Sequence, residues 1–112
     1  MLKTDKYDSE ILELSAFLRA ISHPARLAIL LYLSETKACI SGDISNYLPL
    51  SRSTVFQHLQ ELKALGLIHG EIDGLKVNYC LCGSSIDKYK SMLNNFFDKV
   101  DTAGIICNTE TK

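Results

Sequence analysis

A chain of 112 residues, 46% hydrophobic and 22% charged, has the size and composition of one globular domain, which excludes a disordered or multidomain organisation. A formal net charge of −1 excludes a broadly basic coat for nonspecific nucleic-acid binding, but leaves room for a local positive patch. The longest apolar run, 27–33, is too short to span a bilayer, and the first ten residues lack the apolar core of a signal peptide. The expected location is therefore the cytoplasm, where Cys39, Cys80, Cys82 and Cys107 are expected to be mostly free thiols.

From Asp8 to Ile21, residues Ile11, Leu14, Leu18 and Ile21 fall on a helical stripe, with Phe17 beside it. Ser22, His23 and Pro24 interrupt that stripe, and Pro24 suits the first turn of a second helix running to about Leu33. Leu27, Ile29, Leu30, Leu31 and Leu33 make this helix apolar on most sides, so it is expected at the centre of the fold. Residues 38–40 suit a very short strand. Ser41 is expected to cap a short third helix over 42–48, which Pro49 ends.

Ser51 is a good N-cap for the next helix. In it Val55, Leu59, Leu62 and Leu65 share one inward face, and Gly66 stops it. Two short helices joined this tightly make a helix-turn-helix over 41–66, whose second member is the usual groove reader. The period then changes. Asp73–Gly74 favours a two-residue hairpin turn, and Val77, Tyr79 and Leu81 alternate as in a half-buried strand, giving a wing over 67–82. Ser84 and Asp87 have capping-box spacing at the start of a last helix, 84–101, with Ile86, Tyr89, Leu93, Phe96 and Val100 on its apolar side. Residues from Thr102 on suit a frayed tail that carries Cys107.

The expected fold is mainly α with a small β-hairpin wing: a single winged helix-turn-helix domain over 1–112, with an added helix at each end. A domain this small cannot easily cover apolar stripes on both terminal helices, 8–21 and 84–101. Ile11, Leu14, Leu18, Tyr89, Leu93, Phe96, Phe97 and Val100 are therefore expected to form a homodimer interface.

The runs "LRAISHPARLAILLYL" and "SGDISNYLPLSRSTVFQHLQELKALGLIHGEIDGLKVNYCL" resemble the ArsR-type (arsenical-resistance repressor) winged-helix regulators over about 18–81. The resemblance implies homodimers that bind operator DNA and dissociate when an inducer binds. Many such regulators sense metals through a Cys-x-Cys pair at the first helix of the helix-turn-helix, or through Asp and His on the last helix. Here Ile40 and Gly42 stand at the first site, with Cys39 one residue out of step, and the last helix has no histidine. Neither metal site carries over, and no cofactor is expected.

Double-stranded operator DNA is the expected partner, with affinity from phosphates and specificity from a few base edges. Arg52 can fork onto a guanine edge or clamp a phosphate, and Gln57 can pair with an adenine edge. Ser51, Ser53 and Thr54 are short groups suited to the backbone or to bases. Phe56 suits a thymine methyl or contact with its own protein. His58 matches a histidine of the family but lies beside the core stripe, so packing and base reading both stand. Lys76 suits a phosphate contact from the wing, His69 is a second candidate there, and Lys63 is either another phosphate anchor or a solvated lysine.

Cys80 and Cys82 share a strand face, and a strand at Cys39 would pair with the same hairpin. The three thiols are a candidate sensor for a soft ion such as arsenite or for redox change, or else ordinary buried cysteines. The inducer would accordingly be a small molecule, a metalloid or an oxidant. His23, His58 and His69 have no metal-ligand spacing, and no phosphate loop or nucleophile elbow is present, so no enzyme is expected. The rival reading is a winged helix that binds protein instead of DNA, which the near-neutral charge favours.

Overall fold

The computed structural model describes residues 6–36, 39–41, 48–73 and 76–106. The first helix, α1 (Ser9–Ile21), starts where the Asp8 carboxylate accepts from the Glu10 amide at 3.2 Å. A second cap opens α2 (Pro24–Thr36): Nδ1 of His23 accepts from the Ala25 amide at 3.0 Å. Pro24 thus takes the first-turn position that its missing N–H allows. The two helices meet at 91°. No single helix among the described residues is long and apolar enough to cross a membrane.

Two residues, Ile40–Ser41, form β1, which starts two positions beyond the start of the expected strand and ends one beyond its end. The expected helix over 42–48 lies almost wholly outside the described residues. Helix α3 (Arg52–Ala64) has Ser51 as N-cap, its hydroxyl accepting from the Thr54 amide at 3.2 Å. The chain leaves α3 through Gly66 at φ +82°, a left-handed conformation that a Cβ would strain. Strands β2 (Ile68–Asp73) and β3 (Lys76–Leu81) then form the hairpin. The last pair in the register is Asp73 with Lys76, so Asp73 belongs to the strand and not to the turn expected at Asp73–Gly74. The sheet is antiparallel in the order β1-β3-β2, with Ile40 opposite Tyr79 and Ile68 opposite Leu81.

The last helix, α4 (Gly83–Lys99), begins one residue early, and its N-cap is Cys82 without a side-chain bond. The Ser84–Asp87 capping box is therefore not the start signal. Instead the Cys82 amide donates to the Leu67 carbonyl at 2.9 Å, which ties the strand end to the turn after α3 and fixes where the helix can begin.

The core lies where α1, α2 and α3 meet the inner face of the sheet. Ile29, Leu33, Val55, Leu62, Leu67 and Ile68 are sealed there, and removing one such leucine costs about 2–5 kcal/mol. Phe17 of α1 stacks on Tyr89 of α4 with ring centroids 4.5 Å apart, and Lys88 pairs with Glu13 across the same two helices. Two expectations need correction. Leu27 and Leu31 are exposed, because α2 is covered on one side only. Leu14 and Tyr89, expected at a dimer interface, are already buried by their own chain.

Candidate nucleic-acid interface

Helix α3 has two unlike sides. Val55, Leu59 and Leu62 are buried and Leu65 is half-buried, as the periodicity predicts. On the opposite flank Arg52, Ser53, Phe56, Gln57 and Lys63 are exposed, and Thr54 is half-buried. None of the described residues covers this flank. Its first turn is ordered by hydroxyls: Ser51 donates to Thr54 Oγ1 at 2.9 Å, and its oxygen lies 3.3 Å from that of Ser53. Ser51 is thus held in the cap, which leaves Arg52, Ser53 and Gln57 to face outward. Phe56, at 54% exposure, does not lean on its own protein, so the solvent-facing reading of that side chain is the one that fits.

His58 is corrected. Only 8% exposed, it accepts at Nδ1 from Arg26 Nε at 3.0 Å. Its ring sits against that of His23, centroids 4.4 Å apart. Burial first, then the neighbouring His23 and Arg26 charges, push its pKa below the ordinary 6.5. A neutral, inward histidine that accepts from an arginine fits the packing reading. Arg26 also donates from Nη1 to the Ala20 carbonyl at 2.9 Å, so one guanidinium joins α1, α2 and α3. Nothing in the sequence around Arg26 marks this role beyond its position, three residues after the capping His23.

The hairpin stands beside α3, and Lys76 begins its outgoing strand opposite Asp73. The side chain of Lys76 lies outside the described residues. On the outer face of the hairpin, His69 is exposed. Its Nδ1 lies 3.1 Å from Cys82 Sγ, and its Nε2 lies 3.4 Å from Glu71 Oε2. The Glu71 carboxylate partly neutralises any phosphate attraction there.

The cysteines also need correction. Cys39 and Cys80 are joined by a disulfide, with Cα atoms 4.3 Å apart. The register explains the contact, since Ile40 opposite Tyr79 sets Cys39 opposite Cys80, at about the 4.5 Å spacing of a non-hydrogen-bonded pair. A Glu71 carboxylate oxygen lies within 4.8 Å of both sulfurs. Cys82 is free, and Cys107 lies outside the described residues. The structure therefore brings together two of the three expected thiols and turns the third toward His69.

The description "Bacterial regulatory protein, arsR family" matches residues 23–69. The chain is 31% identical over 83 residues to the HTH-type transcriptional regulator YgaV of Escherichia coli (strain K12), covering 74% of this chain and 84% of that protein. It is 40% identical over 73 residues to the HTH-type transcriptional repressor SmtB of Mycobacterium tuberculosis (strain ATCC 25618 / H37Rv), covering 64% of this chain and 53% of SmtB, about half that repressor's length. Among solved structures, an ArsR-like transcriptional regulator from Rhodococcus sp. RHA1 superposes with a TM-score of 0.71 at 27% identity, over 84% of this chain and 88% of that one. Likeness in sequence and in fold thus runs through the capped helix and the wing together, and the chain belongs to the ArsR family of DNA-binding transcriptional regulators.

Proposed function

We propose that the protein works in the cytoplasm as a homodimeric repressor released from its operator by an inducer. The observation that carries this reading is the uncovered flank of α3, where Arg52, Ser53, Thr54, Phe56 and Gln57 stand on a helix whose other side is locked into the core. Arg52 forks onto a guanine edge, Gln57 pairs with an adenine edge, and Phe56 meets a thymine methyl. Lys63 and Lys76 hold phosphates and set the register of the protein on the duplex. Ser51 serves chiefly as the cap that aims this row.

Dimerisation is supported by the two terminal helices. Between α1 and α4 runs a groove whose lining includes the exposed Ile11, Phe96 and Val100. Phe97, at 61% exposure, stands beside it, and Leu18 continues the apolar surface along α1. A second copy related by a two-fold axis would cover these faces and place two reading helices about one turn of duplex apart. No catalytic step is assigned to the chain.

The test is capture of genomic fragments by the purified protein, followed by anisotropy titration on the enriched sequence. Binding at one site per two chains supports the reading. No retention of any fragment at low salt would overturn it in favour of a protein-binding winged helix.

A further inference from the structure

The Cys39–Cys80 bond crosses the molecule at a telling place. Cys39 immediately precedes β1, and β1 leads into the stretch 42–51 that ends at the cap of α3. Cys80 lies on β3, the outgoing strand of the wing. One covalent bond therefore joins the chain entering the helix-turn-helix to the hairpin behind it. The loop it closes has a sequence separation of 41 and contains all of α3. Among the described residues, the backbone pairing at this edge comprises two positions besides that bond, Ile40 and Ser41. A two-residue strand is a weak fastening, so the presence or absence of the bond is a large fraction of what fixes the edge.

We propose that Cys39 and Cys80 form a reversible thiol–disulfide switch, worked by exchange with small-molecule thiols and disulfides, that sets operator affinity. The proposal rests on the DNA-binding reading above and adds the site and chemistry of its regulation. Cys39 is exposed and Cys80 is 5% exposed, so an incoming group reaches Cys39 first. In opening, the thiolate of a small dithiol attacks Cys39 Sγ. The S–S bond breaks, and Cys80 leaves as a thiolate and takes up a proton. The second thiolate of the dithiol then attacks its own sulfur in the mixed disulfide, which releases Cys39 as a thiolate that is protonated in turn. The protein gains two electrons and two protons, and the dithiol becomes a cyclic disulfide. Closing is the reverse exchange with a small disulfide.

Cys82 stands apart from the pair. Its sulfur faces the His69 ring at 3.1 Å, and it is not bonded to either partner. It is therefore the internal control: a variant at Cys82 keeps the switch, and a variant at Cys39 removes it.

The experiment equilibrates the full-length protein in graded mixtures of reduced and oxidised dithiothreitol. Free thiols are alkylated and counted by mass spectrometry, and each form is titrated with operator DNA. The wild type is expected to lose two labels on closing and to change operator affinity fivefold or more, the usual lower range for coupled sites. Cys82→Ser should behave like the wild type, with one label fewer throughout. Cys39→Ser, an exposed substitution that leaves the buried partner in place, should bind DNA with one affinity at every poise. Failure of the two labels to titrate, or equal affinity of the closed and open forms, would overturn the proposal. If the open form, the closed form and Cys39→Ser all fail to bind DNA, the regulatory reading falls and the coupling with it, while the label count still reports whether the bond itself is reversible.

Discussion

Helices α3 and α4 are both amphipathic and both bury one side against the same core, yet their outward sides are opposite in kind. The open flank of α3 carries Arg52, Ser53, Gln57 and Lys63 around one aromatic ring. The open side of α4 carries Phe96 and Phe97, edge to face with centroids 5.2 Å apart, followed by Val100. Polar and cationic groups left in water are ready to meet phosphates and base edges, while contiguous apolar area left in water calls for a protein surface. The contrast supports the different partners proposed for two helices of one small domain.

The largest effect should come from breaking the apolar side. Replacing Phe96 and Phe97 together by Asp places two charges at the proposed two-fold interface. Buried aromatic anchors are typically worth about 2 kcal/mol or more each, so sedimentation should shift from dimer to monomer at micromolar protein, and DNA affinity should fall with it. A pair that still sediments as a dimer would move the interface elsewhere. Next comes the polar side. Arg52→Ala should weaken operator binding by about 1–3 kcal/mol and relax one position of the site, with dimerisation untouched. The two results together separate the partners of the two helices.

A smaller effect sharpens the role of Ser51. Ser51→Ala removes an N-cap and should lower stability by about 1 kcal/mol in chemical denaturation. Lys76→Ala should weaken all DNA sequences alike and reduce the salt slope of binding by about 1. The mildest test concerns His58. Its folded pKa lies below the ordinary 6.5, so the unfolded chain binds the extra proton first. The contribution of neutral His58 is complete above about pH 6.5 and is lost as pH falls below it. Denaturation midpoints should therefore drop on acidification in the wild type, and more shallowly in His58→Gln, whose amide oxygen can still accept from Arg26. Parallel pH profiles would remove the buried histidine from the account.

Much of the reading helix was legible in the residues themselves. The Ser51 cap, the steps between Val55, Leu59 and Leu62, and the stop at Gly66 are local patterns, each read within a few positions of chain. The alternation of Tyr79 and Leu81 gave the wing for the same reason. The start of α4 was misplaced because a capping box competes with a backbone bond from Cys82 to Leu67, a partner fifteen positions away. His58 stood undecided because its place beside the stripe is local, while its burial depends on Arg26 and His23 in another helix.

What the order of residues determined alone was therefore the four described helices and the hairpin, the winged helix-turn-helix class and the chemistry on the open flank of α3, since period, caps and turn residues act over short range. Only the folded chain decided that Cys39 meets Cys80 while Cys82 turns to His69, that Arg26 ties three helices, and that Leu14 and Tyr89 are spent on the inner core. Those outcomes depend on strand register and helix crossing, which bring together groups far apart in the chain and leave no mark in either local neighbourhood.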